Sequence, residues 1–272
     1  MTMTLPETQS IQLHLTGDLL HVHFDRPEAR NAMNGEVLDE LDAIFDALRQ
    51  RPDIRAVILR GNGGNFCAGG DVKDFARIRK LAVTRDDDPV ARYNRRFGHM
   101  LQRVNEAPQA TIALLEGAVL GGGFGLACVV DVAIAQEDAS FGLPETGLGI
   151  IPAQIAPFVV ERIGLSQARR LGVCGARFGG AEALRLGLVH FVESDTQALD
   201  ARLTKVIAQI RRCAPRANAE TKRIMLGVGK RDLGTVLDDA AVAFSRSMQD
   251  DEAAEGTRAF VEKRLPAWAQ GA

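Results

Sequence analysis

The sequence predicts an α/β domain followed by a helical region. Up to about residue 190, short apolar runs ending in glycine, typical of buried strands, alternate with segments whose apolar residues recur at helical spacing. From Thr196 onward the spacing is helical with almost no strand signal. The chain has 272 residues, 46% of them hydrophobic, and can bury a large core. We therefore predict an α/β core over residues 1–195 and a helical region over residues 196–272.

The first elements are a hairpin and a helix. Alternating runs flank the turn pair Gly17-Asp18 in "IQLHLTGDLLHVHFD", which predicts two antiparallel strands. A helix is predicted from about Asn34, because apolar residues then recur at helical spacing: Val37, Leu38, Leu41, Ile44, Phe45 and Leu48.

The next elements repeat one layout, a buried strand, a glycine-rich turn and a helix. It occurs in "AVILRGNGGNFCAGGDVKDF" and again in "IALLEGAVLGGGFGLACV". Between the two, "RKLAVTRDDDPVAR" predicts a surface loop and "RYNRRFGHMLQRVNEA" a helix closed by Pro108. A strand, a turn and a short strand are then predicted by "DVAIAQEDASFGLPE".

Composition argues against several classes of partner. The formal net charge of −2, with one Trp and one Tyr, disfavours nucleic-acid binding and base stacking. Charged, glycine or proline residues interrupt every apolar run, and "MTMTLPETQS" lacks the pattern of a signal peptide, so we expect neither a membrane span nor secretion. The four cysteines include no CxxC pair and indicate reduced thiols in a cytoplasmic protein.

The two glycine clusters are candidate binding loops. Neither GxGxxG nor GxxxxGK[ST] fits them: Leu126 and Cys128 stand where the first motif needs its third glycine, and Gly70-Asp71 stands where the second needs lysine. Free N–H groups at two helix starts would instead make a backbone oxyanion hole, since glycine lets a ligand oxygen approach. Close packing of helix on strand is the alternative.

Three blocks, "FCAGGDVKDF", "GAVLGGGFGLACVVDVAIA" and "FGLPETGLGIIP", resemble the signatures of the crotonase (enoyl-CoA hydratase/isomerase) superfamily. The resemblance extends from "HVHFDRPEARNAM" to "TRAFVEKR" and covers nearly the whole chain. It implies a crotonase-like spiral of ββα repeats with a C-terminal helical region that assembles homotrimers or dimers of trimers. It also implies an acyl-CoA thioester substrate, with no cofactor beyond the CoA of the substrate and no metal.

The resemblance also assigns site residues. The N–H groups of Gly70 and Gly122 would hold the thioester oxygen. The CoA-binding positions would be Ala29, Ala68, Asp71, Val72 and Lys73, completed by Phe244 and Lys263 from the C-terminal region, often that of a neighbouring subunit. Glu28 stands where many relatives carry a lysine, so the resemblance does not extend to a contact of that lysine with a CoA phosphate.

The predicted acid–base chemistry depends on one carboxylate. "FGLPE" supplies Glu145, whereas Gly125 stands where hydratases of the family carry a second glutamate. Glu145 after Pro144 also suits the first turn of a helix with no chemical role. Burial in an apolar pocket would raise its pKa and suit it to proton transfer.

Six other polar or sulfur-bearing side chains favour structural roles. We expect Glu116 to hydrogen-bond at a strand end and Asp131 to be structural. His21 and His23 share a strand face without a third ligand, which disfavours a metal site. Cys67, like Cys128, is expected to be a small buried apolar residue.

Two departures from the commonest family pattern resemble its glutaconyl-CoA hydratase branch. These are "GGGFGL" and the apolar "IIPAQIAPFVVERIG", whose Ile155, Pro157, Phe158 and Val159 would reshape the acyl pocket. This resemblance implies hydration of a branched 3-substituted glutaconyl-CoA, isohexenylglutaconyl-CoA before methylglutaconyl-CoA, in acyclic terpene or leucine catabolism. The alternatives are an enoyl-CoA isomerase using one glutamate and a non-catalytic acyl-CoA or RNA-binding relative.

Overall fold

The computed structural model describes residues 4–84 and 86–270. Over these residues the strands, in chain order, are β1 (Ile11–Thr16), β2 (Leu19–Phe24), β3 (Ala56–Gly61), β4 (Ala110–Leu115), β5 (Ala118–Leu120), β6 (Val132–Gln136), β7 (Ser140–Gly142), β8 (Arg177–Phe178) and β9 (Phe191–Glu193). The helices of the same residues are α1 (Gly35–Leu48), α2 (Val72–Ile78), α3 (Pro89–Asn105), α4 (Gly122–Val129), α5 (Ala156–Ile163), α6 (Leu165–Cys174), α7 (Gly180–Arg185), α8 (Thr196–Arg212), α9 (Pro215–Gly227), α10 (Leu233–Met248) and α11 (Asp251–Val261).

The larger sheet has the strand order β1-β2-β3-β4-β6-β9. Its first pair is the predicted antiparallel hairpin, with Thr16 opposite Leu19 and Gly17 at a φ of 61°, a conformation that favours glycine. The remaining neighbours are parallel. Each parallel strand therefore delivers the chain to the same edge of the sheet, where the glycine-rich turns lie.

A second sheet, β5-β7-β8, is built from strands that follow members of the first. β4 continues into β5 and α4, and β6 continues into β7 and α5. β3 is followed by Cys67, which pairs with Val119 as an isolated parallel bridge, and then by α2. These repeats of two extended segments and a helix confirm the predicted crotonase-like fold.

Helix α1 shows how the periodicity produces the packing. Asn34 caps it by accepting a hydrogen bond from the Val37 amide at 3.0 Å. All six residues of the predicted apolar face are buried, and the helix packs against α3. Burial of each large apolar side chain contributes about 1.5–3 kcal/mol. The predicted loop over residues 79–92 is shorter than expected, because Asp88 caps α3 and Pro89 begins it; residue 85 of that loop lies outside the described residues.

The C-terminal region begins where β9 ends, with α8 starting at Thr196. Helix α8 packs on the large sheet through Leu199 and Leu203, which join a buried cluster with Ile58 and Ile112. Helices α10 and α11 pack on each other, and α10 also packs on α9. Division at residue 195 into separate domains stays a prediction. Among the described helices, none has both the length and the apolarity needed to cross a membrane.

Candidate active site

The two glycine-rich turns lie side by side. Cys67 is bridged to Val119, and Gly70 is bridged to Met33, so the chain after β3 is held between the second sheet and the start of α1. A Cβ built on Gly69, whose φ is 101°, would stand 3.2 Å from the Leu120 carbonyl oxygen. The two backbones are therefore in contact. Both predicted roles of the glycines, close packing and exposure of backbone amides, apply at this point.

Two amide groups of these turns have no partner among residues 4–84 and 86–270. Gly122 is the first residue of α4, and Gly70 precedes Asp71, the N-terminal cap of α2. No hydrogen bond runs from either N–H to another described residue. Amides at a helix start lack intrahelical partners and favour negative charge. The expected pair of free donors is thus present on adjoining segments.

The Glu145 carboxyl packs against the turn that precedes Gly122. A Cβ built on Gly121 would lie 2.8 Å from Glu145 Oε1, closer than real Cβ contacts. The other oxygen, Oε2, is buried and has no hydrogen-bond partner among the residues that the structure describes. Burial raises the pKa of Glu145, opposed by a hydrogen bond to a backbone amide. Buried polar groups of proteins are hydrogen-bonded in the great majority of cases, so an unpartnered carboxyl oxygen marks Glu145 as a candidate functional group.

Position 125 has no room for a side chain. A Cβ on Gly125 would overlap Ile155 Cγ2, stand 3.1 Å from Ile155 Cβ and lie 3.5 Å from Leu101 Cδ1. The volume that a glutamate would need is therefore filled by an aliphatic residue from the "PAQIAP" segment. The segment is partly helical, because α5 begins at Ala156, and Pro157 is exposed.

The residues expected to bind CoA fall into two groups. Ala29, Ala68, Val72 and Lys73 line one surface strip. The Ala68 amide donates to the Arg30 carbonyl at 3.0 Å, and this hydrogen bond joins the turn that contains Ala29 to the segment before α2. Val72 and Lys73 are exposed.

Asp71 has structural partners. Its carboxylate accepts from the Lys73 amide at 2.9 Å and pairs with Arg26 at 2.9 Å. Burial disfavours its charge, but the Arg26 hydrogen bond and the helix cap outweigh burial and lower the pKa of Asp71. This carboxylate therefore caps α2 and fixes it to the turn before α1.

The chain does not bring Phe244 and Lys263 to the glycine turns. Phe244 lies on α10 and is 68% exposed, and Lys263 follows α11 with a φ of 54°. Their helices pack mainly against α9 and against each other. If Phe244 and Lys263 contribute to CoA binding, they would do so in the site of another copy of the chain.

The remaining candidates have the expected structural contacts. Glu116 accepts two hydrogen bonds from Arg60, at 2.7 and 3.0 Å, and one from Thr196 at 2.8 Å. Asp131 pairs with Lys222 at 2.6 Å.

Cys67 and Cys128 are buried as expected, and His21 and His23 lie on β2. Over the described part of the chain, no cluster of three His, Cys, Asp or Glu residues could hold a metal, so His21 and His23 have no metal-site partners there. Cys67 and Cys128 are buried, which raises the pKa of each thiol to about 12.

Two contacts around the glycines were not anticipated from the sequence. Phe75 covers Gly70, with its Cε1 3.1 Å from the position of a Cβ there. Phe97 stands 3.0 Å from the corresponding position on Gly122. Phe97 and Leu101 are four residues apart on α3, and that spacing was the available signal that they share a face.

Comparison with known proteins identifies the family. The model of the enoyl-CoA hydratase/isomerase family matches residues 15–271. A probable enoyl-CoA hydratase of Bacillus subtilis (strain 168) is 31% identical over 237 residues, 87% of this chain and 90% of the relative.

Two solved structures are also similar. Pseudomonas aeruginosa AtuE has a TM-score of 0.92 at 54% identity, covering 96% of this chain and 100% of that one. An enoyl-CoA hydratase/isomerase from Marinobacter aquaeolei has a TM-score of 0.93 at 50% identity, covering 96% and 99%. The chain belongs to the enoyl-CoA hydratase/isomerase family, and its activity is that of this family on coenzyme A thioesters.

Proposed function

We propose that this protein hydrates the CoA thioester of a branched, 3-substituted glutaconic acid. Isohexenylglutaconyl-CoA is the preferred substrate and methylglutaconyl-CoA the next, which assigns the reaction to acyclic terpene or leucine catabolism. The observation that carries the proposal is the half-buried Glu145 carboxyl, one oxygen of which lacks a partner among the described residues, beside two glycine turns that each offer a free amide. We also propose a cytoplasmic location.

The backbone amides would stabilise the charge that develops on the thioester. Attack at C3 of a conjugated thioester moves electrons onto the carbonyl oxygen and generates an enolate. The N–H groups of Gly70 and Gly122 would donate hydrogen bonds to that oxygen. Each donor of such a hole contributes about 2.7–4 kcal/mol to transition-state stability.

Glu145 would carry out both proton transfers. As a carboxylate it accepts a proton from water while the water oxygen bonds to C3. The resulting carboxylic acid then returns that proton to C2 of the enolate, which gives a tertiary 3-hydroxyacyl-CoA with all atoms of water retained. The raised pKa of Glu145 suits this role, because a carboxyl that gains and loses a proton in each cycle works best near the operating pH.

The CoA moiety belongs to the substrate and would lie along the strip formed by Ala29, Ala68, Val72 and Lys73, with Asp71 holding α2 in place. We propose that Phe244 and Lys263 complete this strip on a neighbouring subunit of a homotrimer or a dimer of trimers. Exposed apolar side chains on the last helices support such an assembly, among them Phe244, Met248, Phe260 and Val261, which are 56–86% exposed.

An enoyl-CoA isomerase is the second candidate, because it needs only one carboxylate and Ile155 fills the space beside Gly125. The deciding experiment supplies 3-methylglutaconyl-CoA, isohexenylglutaconyl-CoA and crotonyl-CoA in ¹⁸O-labelled water and analyses the products by mass spectrometry. Hydration predicts one labelled oxygen in a 3-hydroxyacyl product. A displaced double bond without label would establish isomerisation instead. Comparable kcat/KM for crotonyl-CoA and the branched thioesters would overturn the substrate assignment, and no turnover would favour a non-catalytic acyl-CoA or RNA-binding role.

A further inference from the structure

We infer that Ile155 determines which substituent on C3 of the acyl group the site accepts, and that it acts as a pair with Gly125. The inference rests on the proposed function in one respect: it takes the thioester oxygen to be bound by the Gly122 amide.

The positions of Gly122 and Gly125 define the surface against which the acyl group would lie. They are three residues apart on α4, so they share one face and are separated by about 4.5 Å along the helix axis. Helix α3 covers this face: Phe97 approaches the first glycine at 3.0 Å and Leu101 the second at 3.5 Å, measured to built Cβ positions. C3 lies two bonds from the thioester carbon, so its substituents reach the second glycine rather than the first.

Ile155 closes this face one helical turn beyond Gly122. It is 3% exposed, and its Cγ2 overlaps the position that a Cβ on Gly125 would take. Its carbonyl accepts the Val159 amide at 3.0 Å in the first turn of α5, which packs against α4. A β-branched side chain fixed in this way has few rotamers with which to move aside. Ile155 therefore excludes any side chain from position 125.

Ile155, Leu101 and Phe97 form a wall that selects ligands by chemistry as well as by size. These side chains present only carbon atoms toward Gly122 and Gly125. An aliphatic branch at C3 gains contact with this wall, whereas a hydroxyl or carboxylate placed against it would lose its hydration without a partner, so the carboxymethyl branch and the added hydroxyl of the proposed reaction would lie away from the wall. The ligand class that fits is a thioester with a saturated or unsaturated hydrocarbon branch at C3.

Binding of saturated thioesters tests this separately from catalysis, because they are not turned over. The ligands are butyryl-CoA, 3-methylbutyryl-CoA and 3,7-dimethyloctanoyl-CoA, titrated calorimetrically into wild type, Ile155→Val, Ile155→Ala and the control Ile163→Ala. Ile163 is also buried and lies at the opposite end of α5 from Ile155. We expect wild type and Ile163→Ala to bind 3-methylbutyryl-CoA about fourfold more tightly than butyryl-CoA, the factor for one buried methyl group. Ile155→Val is expected to reduce this preference for 3-methylbutyryl-CoA over butyryl-CoA, and Ile155→Ala is expected to abolish it. Ile155→Ala should also bind 3,7-dimethyloctanoyl-CoA more tightly, relative to butyryl-CoA, than wild type does.

The pairing is tested by Gly125→Ala and by Gly125→Ala/Ile155→Ala. Gly125→Ala alone should lower Tm and weaken all three thioesters, and the second substitution should restore both. Folded Ile155 variants with the wild-type ranking of ligands would overturn the inference, as would a Gly125→Ala protein as stable as wild type. A chain that shows the expected ranking but does not hydrate branched glutaconyl thioesters would contradict the proposed function alone.

Discussion

Replacement of Gly121 by alanine tests the contact between the glycine turn and the carboxyl. Gly121 has a φ of 49° and a ψ of −113°, a conformation that side chains rarely adopt. Such strain costs about 1–3 kcal/mol. The new methyl group would also stand 2.8 Å from Glu145 Oε1, so the flexible carboxyl must shift by a few tenths of an ångström. Since small misplacements of reacting groups are costly, we expect kcat to fall about ten- to a hundredfold.

The matched control is Gly147→Ala, in the same short turn as Glu145. A Cβ there would meet nothing within 4 Å, and we expect its stability to stay within about 0.5 kcal/mol of wild type. Urea unfolding gives the stability of each variant, and steady-state hydration of a branched enoyl thioester gives kcat. If Gly121→Ala behaves like Gly147→Ala in both measurements, the assigned contact with the carboxyl is wrong.

Three further predictions concern charge. Because burial raises the pKa of Glu145 and the base must be ionised, the acid limb of the kcat/KM profile, which reports the free enzyme, should lie above the ordinary value of 4.5; a limb at or below 4.5 would contradict this. Glu116→Ala removes one partner of the mostly buried Arg60, which still pairs with Asp200 at 2.8 Å, so urea unfolding should show a loss of roughly 1–3 kcal/mol with kcat unchanged in the folded enzyme. A large loss of kcat instead would assign Glu116 to the chemistry. Burial lowers the pKa of His21 and His190 in the folded state, so the unfolded chain binds more protons below pH 6.5. Urea titrations should therefore show the free energy of unfolding falling as the pH drops through that value. A rise in the free energy of unfolding over the same range would refute the lowered pKa of these two histidines.

Local patterns made much of the fold predictable. The hairpin around Gly17 and the apolar face of α1 depend on residues close in sequence, and both are confirmed. The short strands β5, β8 and β9 were not resolved by periodicity, because three residues or fewer carry too little pattern and their pairing partners lie elsewhere in the chain.

The candidate site was also predictable only in part, because some of its contacts come from residues distant in sequence. Glu145 and the glycines could be named from motifs, but the filling of position 125 depends on Ile155, thirty residues further along the chain. Asp71 matched a binding motif, yet its partner Arg26 comes from a distant turn and shows that the carboxylate holds structure. Phe244 cannot be assigned from one chain, because its surroundings in the proposed assembly come from another copy.

The most direct test of the account compares wild type with Glu145→Gln on a branched enoyl-CoA in ¹⁸O-labelled water, with binding of 3-methylbutyryl-CoA measured in parallel. The substitution keeps the shape of the side chain and removes the titrating carboxyl. The account predicts that thioester binding is retained and that incorporation of labelled oxygen falls at least a hundredfold, in line with the roughly 10²–10⁴-fold contribution of a general acid–base group. Labelled product formed at the wild-type rate by Glu145→Gln would contradict it.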